Sequence, residues 1–386
     1  LTDSDETNMI ACQIAYTLYH TPTKIARIRA AEYMNAKKLF SQESLPVDVL
    51  ISPEQLVCEY VEQLILYPGA LQVLEFAEGR VRLVGARADR DGLLVGQQLK
   101  NMKEHIPNTE ARIAAIYRDG QSVMPDGDTV IREGDEVFFL AARKDIRVFM
   151  SEMRKLDDPI RRVVIAGGGN IGFRLAMALE QTNQVKIIER NPERARHISE
   201  QLSKAIVLVG DAADEELLLE ENIDSTDVFC ALTNAEEANI LSAMLAKRLG
   251  AHKVMALINR PSYAELVEAG TIDIAISPQQ VTIGSLLAHV RRGDVVKVHS
   301  LRRGAAEAIE AVAHGTPDNS KVVGRRIEDI PIPRGTNIAA LVRDDQVIFA
   351  HHDTEVEADD HVILFMTDRR RIEDVEELFQ VGVSFV

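Results

Sequence analysis

Tryptophan is absent from this sequence, and aromatic residues make up only 5% of it. Ring platforms on which bases or sugars stack are therefore scarce. Cysteine is nearly missing as well: Cys12, Cys58 and Cys230 are far apart and odd in number. They form neither a disulfide framework nor a zinc-ligand spacing, and they suit a reducing compartment. There is no run of 18 apolar residues, so no segment reads as a bilayer-spanning helix. Positive charge is in deficit, with 44 Lys plus Arg against 60 Asp plus Glu and a formal net charge of -16. That balance argues against nucleic acid as a partner, because binding a polyanion needs positive surface to displace its counterions. The rest is an ordinary globular composition, 46% apolar and 27% charged over 386 residues. A chain of this length holds about two to four domains.

The chain repeats itself. Leu1-Thr2-Asp3-Ser4-Asp5-Glu6-Thr7-Asn8 aligns with Leu232-Thr233-Asn234-Ala235-Glu236-Glu237-Ala238-Asn239. Asp48-Val49-Leu50-Ile51-Ser52-Pro53 matches Asp273-Ile274-Ala275-Ile276-Ser277-Pro278, and Ile113 to Asp119 matches Ile338 to Asp344. Matches in one order with slowly drifting offsets indicate a duplicated unit, longer than any solenoid repeat. The break falls near Asp157-Asp158-Pro159, two acids and a proline that suit a solvated connector.

In the second copy, short apolar strands alternate with helical stretches. The strands are Arg161 to Ala166, Val185 to Glu189, Ala205 to Val209, Val228 to Leu232, Val254 to Ile258 and Ile272 to Ile276. This alternation predicts an α/β fold with a doubly wound parallel sheet. Ser277-Pro278 and Ser52-Pro53 then read as helix starts, serine capping and proline in the first turn. The remainder of each copy reads as a small α+β domain of short strands and acidic turns, able to pair with a copy of itself. The expected domains are a partial parallel-sheet domain at 1–78, a small domain at 79–156, a second parallel-sheet domain at 160–293 and a second small domain at 294–386.

One motif carries chemistry. Gly167-Gly168-Gly169-Asn170-Ile171-Gly172 follows a strand and opens a helix, and Glu189 closes the next strand about 17 residues on. In that context Gly167 permits a tight turn, Gly169 lets phosphates approach backbone N–H groups, and Gly172 allows close helix–strand packing. The helix N-terminus favours the anionic phosphates. Glu189 can accept hydrogen bonds from a ribose diol and would repel a 2′-phosphate, so NAD(H) is preferred, with Arg190 leaving an opening for NADP(H). Asp211, at the third strand end, reads either as an adenine contact or as a helix cap. Thr233-Asn234, at the fourth, reads as a crevice pair, a cap, or both.

No catalytic constellation is legible. A hydride-transferring enzyme needs an acid or base near the nicotinamide, and the ten histidines are scattered. His351-His352-Asp353 reads as a solvated turn in preference to a metal site, and Cys230 as a packing residue within a buried strand. Arg291-Arg292 and Arg302-Arg303 form a basic zone that reads either as a solvated face or as a dock for an acidic partner.

The duplication, the glycine fingerprint, the Ser-Pro exit helices and the small domains together resemble the TrkA family of Trk potassium-uptake regulatory proteins. Ile188-Glu189-Arg190-Asn191, Glu237-Ala238-Asn239, Ala275 to Gln280 and His299 to Gly304 carry the same resemblance, which covers essentially the whole chain. It implies two tandem units, each a Rossmann-type RCK-N domain followed by an RCK-C domain. It implies a non-enzymatic cytoplasmic protein, peripheral on the inner face of the membrane, forming a homo-oligomeric ring, a tetramer, under the potassium transporter TrkH. It implies that NAD(H) and ATP or ADP bind the Rossmann domains and bias that ring. The family's phosphate loop maps onto Gly167 to Ile171, its ribose acid onto Glu189 and its crevice pair onto Thr233-Asn234. In the first copy only the crevice pair recurs, as Thr2-Asp3, with Arg27 near the next strand end; Asp3 departs from the usual Asn. The alternative is an NAD-dependent oxidoreductase, for which the substrate residues are not found. The repeat also predicts about 70 further residues ahead of Leu1, holding the first copy's own glycine loop.

Overall fold

Ser4 opens the first helix by accepting the Thr7 N–H on its hydroxyl, and Asp5 and Glu6 occupy the electropositive first turn. This is seen in a computed structural model that describes residues 2–107, 110–123, 125–155, 157–268, 270–291, 294–301 and 306–381. Helix α1 (Asp5–Tyr19) leads to β1 (Ile25–Arg27), α2 (Ala31–Asn35) and β2 (Val49–Ile51), and β1 and β2 pair in parallel. Ser52 accepts the Gln55 N–H and Pro53 begins α3 (Pro53–Leu66), whose Val57, Val61, Leu64 and Ile65 are buried along one face.

Strands β3 (Ala70–Phe76) and β4 (Val81–Arg87) form a hairpin, joined through Ala77, Glu78 and Gly79, all with positive φ. Then come α4 (Met102–His105), β5 (Ala111–Arg118), β6 (Gln121–Val123), β7 (Glu136–Ala142) and α5 (Ile146–Met153). The sheet is wholly antiparallel, in the order β3-β4-β7-β5-β6. The expected boundary at 78/79 therefore cuts through a hairpin. Residues 70–76 belong with the antiparallel sheet, because the turn folds them directly onto β4.

Beyond Pro159 the chain alternates strands and helices: β8 (Arg162–Ala166), α6 (Asn170–Leu179), β9 (Gln184–Glu189), α7 (Pro192–Ser199), β10 (Ile206–Val209), α8 (Glu215–Glu220), β11 (Val228–Ala231), α9 (Glu236–Arg248), β12 (Lys253–Leu257), α10 (Pro261–Glu268) and β13 (Ile274–Ile276). All six strands are parallel, in the order β10-β9-β8-β11-β12-β13. This is the doubly wound order, with a topological switch between β8 and β11, the kind of crevice in which doubly wound sheets in general bind their ligands. Val164, Phe229, Ala231 and Val254 lie in its core. Helix α11 (Pro278–Val290) leaves the sheet. A second antiparallel sheet is built from β14 (Val295–Leu301), β15 (Ala306–Val312), β16 (Thr336–Arg343), β17 (Gln346–Phe349) and β18 (His361–Met366), closed by α12 (Ile372–Leu378). Its order, β14-β15-β18-β16-β17, repeats the first.

The chain divides into two compact units, residues 1–62 with 160–282 and residues 63–159 with 283–386. In the second unit the two antiparallel sheets share one core: Leu74, Phe76, Leu83 and Phe138 of the first sheet pack with Leu301, Ala308, Ile363 and Phe365 of the second. The duplication extends to buried ion pairs. Arg118 grips Asp135 with two hydrogen bonds of 2.9 and 2.8 Å, and Arg343 grips Asp360 with two of 2.8 and 2.9 Å. Of the basic zone, one residue can be placed. Arg291 is drawn inside, 2.7 Å from Glu307 and 3.3 Å from Glu376, because both carboxylates are buried and need a cation. Arg292, Arg302 and Arg303 lie outside the described residues. Among the described residues no helix is long and apolar enough to cross a membrane.

Candidate functional site

The glycine loop sits at the carboxyl end of β8, at the switch in strand order, and each glycine answers a different constraint. Gly167 has φ +105, and an added Cβ would lie 2.9 Å from the Thr233 methyl. A Cβ on Gly168 would meet Ile198 at 2.6 Å and the Glu189 carboxylate at 3.1 Å. A Cβ on Gly172 would lie 2.0 Å from the Gly167 carbonyl oxygen. Only at Gly169, the N-cap of α6, would it meet nothing within 4 Å. The first turn of α6, with its unpaired N–H groups and positive dipole end, thus faces open space.

Glu189, at the end of β9, is turned onto the loop. Its Oε2 accepts the Gly168 N–H at 2.7 Å and its Oε1 the Asn191 N–H at 2.8 Å. Asn191 in turn caps α7, accepting the Glu193 and Arg194 N–H groups. Arg194 closes the circuit: its Nε donates to the Gly168 carbonyl at 2.8 Å, and its guanidinium stands 5.7 Å from the centre of the Phe173 ring. The loop is therefore prearranged by a carboxylate on one peptide group and a guanidinium on the next. Asp211 caps a turn through the Ala213 N–H at 2.9 Å and lies 3.6 Å from the exposed Arg190 guanidinium.

On the other side of the switch, the Thr233 N–H and hydroxyl both donate to Asn239 Oδ1, at 2.9 and 2.6 Å. Asn239 Nδ2 returns hydrogen bonds to the Thr233 and Leu257 carbonyls at 2.9 and 3.0 Å. This buried amide fixes the crevice loop, so Asn234 is left exposed and does not cap α9; Ala235 holds the cap position with no side-chain bond. The first copy repeats the clamp. Asn8 accepts the Thr2 N–H at 2.6 Å and donates to the carbonyls of Thr2 and Arg27 at 3.2 and 3.0 Å. Thr2 and Asp3 are exposed. Arg27 is turned to Glu54 in the first turn of α3, Nη2 to Oε1 at 3.0 Å.

The structure thus gathers Gly167 to Gly172, Glu189 and Thr233 at one crevice, with Asn234 and Asp211 at its rims, and Thr2 with Arg27 at a second corner. Sequence reading passed over Asn239, Asn8 and Arg194. The first two were legible as an asparagine at the same spacing from the threonine in both copies. His351, His352 and Asp353 form an exposed turn after β17. Cys230 is fully buried in β11, and burial pushes its thiol up to about 12, so it is no nucleophile at neutral pH.

A doubly wound parallel sheet with a built glycine loop, duplicated in part and joined to paired antiparallel domains, defines a tandem RCK-type architecture. The TrkA-N domain model matches residues 163–278, and the TrkA-C domain model matches residues 83–154 and 316–380. The Trk system potassium uptake protein TrkA of Halomonas elongata is 60% identical over 385 residues, covering 100% of this chain and 84% of that protein. That of Vibrio alginolyticus is 57% identical over 387 residues, again covering 100% of this chain and 84% of that protein. The chain belongs to the TrkA family. Among solved structures, the GsuK RCK domain aligns with a TM-score of 0.56 at 16% identity, covering 97% of this chain and 79% of that one. The GsuK channel bound to NAD aligns with a TM-score of 0.55 at 17% identity, covering 97% and 65%. At these identities the likeness is one of fold.

Proposed function

We propose that this chain is the nucleotide-binding regulatory subunit of a Trk-type potassium uptake system. It gates the membrane transporter TrkH from the cytoplasmic face by a ligand-dependent conformational change, and it is not an enzyme. The observation that carries this reading is the loop at Gly167–Gly172. Its backbone is prearranged by Glu189 and Arg194, and of the four glycines in this loop Gly169, at the helix N-terminus, faces open space. That is a seat for the phosphates of NAD(H), ATP or ADP. Glu189 is in reach of a ribose, Asp211 and Arg190 stand where an adenine would lie, and Thr233-Asn234 face the far half of the ligand. Thr2, Asp3 and Arg27 hold the corresponding corner of the first parallel domain. Each parallel domain is read with its antiparallel partner as one RCK unit.

A homo-oligomeric ring is supported by apolar residues left in solvent at repeated positions, Ile10 on α1 and its equivalent Leu241 on α9, with Met244 one turn on. Ligand can shift such a ring only through unequal affinity for its two shapes. The test is potassium flux through TrkH reconstituted with this protein and titrated with NAD⁺, NADH, ATP and ADP. Flux should change with nucleotide for the wild type and not for Gly169→Asp. Equal responses from both proteins would count against the assigned site. NADH absorbance should stay constant in the presence of carbonyl substrates.

A further inference from the structure

Arg174 lies on α6 one turn beyond Asn170, yet its guanidinium does not serve the loop. Its Nη2 donates to the Arg29 carbonyl at 2.5 Å, and its Nη1 reaches Gln55 Oε1 at 3.2 Å and Ser52 Oγ at 3.4 Å. All three acceptors belong to the first copy, within the same compact unit as α6. Arg29 lies just beyond β1, and Ser52 and Gln55 form the start of α3.

Both targets are themselves fixed. The N–H groups of Arg29 and Ala30 donate to Asp5 Oδ2 at 2.9 and 2.8 Å, and Asp5 begins α1, whose Asn8 clamps Thr2. Ser52 Oγ also accepts the Gln55 N–H at the N-terminus of α3, the helix that carries the chain out of this unit. One planar guanidinium therefore joins the helix of the second domain's glycine loop to two anchored points of the first domain. Its donors are set in a rigid fork, which a lysine ammonium cannot reproduce. An anion seated on the first turn of α6 acts on the same short helix that holds this fork.

We propose that Arg174 is the positioning residue that carries the state of the Gly167–Gly172 loop to the first domain, through the Arg29 carbonyl and the first turn of α3. This rests on the nucleotide reading above. The experiment is amide hydrogen exchange on the full chain with and without NADH, and separately with ADP, for wild type, Arg174→Ala, Arg174→Lys and Gln55→Ala. In the wild type, nucleotide should slow exchange at residues 168–173 and, by about fivefold or more, at 28–31 and 53–57. In both Arg174 variants the slowing at 168–173 should remain and the slowing at 28–31 and 53–57 should vanish. Gln55→Ala, which leaves Arg174 in place, should weaken the response at 53–57 alone. An undiminished remote response in the Arg174 variants overturns the proposal, as does a wild type protected at the loop only. Absence of any protection at 168–173 in the wild type overturns the nucleotide reading and this one with it.

Discussion

An added Cβ at Gly169 would meet nothing within 4 Å, whereas at Gly172 it would sit 2.0 Å from a backbone carbonyl oxygen. Two substitutions in one loop should therefore fail in different ways. Gly169→Asp should melt like the wild type but bind adenine nucleotides about 100-fold more weakly, because it sets a like charge against the incoming phosphates. Gly172→Ala should lose about 2 kcal/mol or more of stability, because close-packed backbone has no room to yield. Calorimetric titration and urea unfolding on the two variants separate these outcomes; equal affinity for Gly169→Asp and wild type would remove the phosphates from this loop. The fingerprint glycines and Glu189 were legible because their chemistry is local, a loop that follows a strand and opens a helix. Arg194 was not, because a guanidinium on α7 meets the Gly168 carbonyl only after β9 and α7 have folded back over the loop.

Some elements in this chain are joined by buried charge as well as by apolar surface. Arg291, just after α11, is held between Glu307 on β15 and Glu376 on α12, with side-chain exposures of 10%, 1% and 10%. Arg291→Met should cost about 3–5 kcal/mol, since it takes the Arg291 hydrogen bonds and charge away from two buried carboxylates. Restoring much of that stability by adding Glu307→Leu would confirm the cause, and a loss under about 1 kcal/mol for the single variant would refute it. Glu180, just after α6, accepts the N–H groups of Ser203, Lys204 and Ala205 on one oxygen at 2.8, 2.8 and 3.1 Å. Burial alone would raise this carboxyl, but the three donors outweigh it and bring it below the usual carboxylate range. A lowered folded value means that the stabilisation is complete above the unfolded carboxylate range and is lost as pH falls through the folded value. Glu180→Gln should therefore be less stable than wild type near neutrality, with the gap closing on acidification. A gap that is constant with pH would show that the charge plays no part.

For the whole molecule, duplication produced two antiparallel domains with the same strand order but unlike side chains where they meet. His299 of β14 occupies the position that Leu74 holds in β3. Its Nε2 lies 3.1 Å from the Glu75 carbonyl, a contact that needs the Nε2–H tautomer, and its ring packs edge-on against Phe76. Lys297 donates to the same carbonyl at 3.1 Å. Burial pushes the imidazole down to about 4, with the nearby Lys297 charge acting in the same direction. The folded state then holds fewer protons than the unfolded chain between about pH 6.5 and 4, so stability is full above that window and falls as pH drops through it. His299→Leu should flatten this part of the stability–pH curve, measured by thermal unfolding of the full chain. An unchanged slope would place the titration elsewhere.

Local pattern determined much of this protein. Short apolar strands alternating with helices specified the parallel sheet, since its central strands β8, β11 and β12 are buried on both faces and read as continuous apolar runs, although edge strand β10 is partly exposed. The Ser-Pro starts of α3 and α11 were legible for the same reason, because a cap acts within one helical turn. Tertiary structure alone decided what joins residues distant in the chain. It set the hairpin that claims residues 70–76 for the antiparallel sheet, and which side chains form the core shared by the two small domains. It also set the inward turn of Arg291 and the reach of Arg174 to Arg29, Ser52 and Gln55. A charged side chain reads the same in sequence whether it faces water or a buried acid, and only folding brings its partner within hydrogen-bond distance.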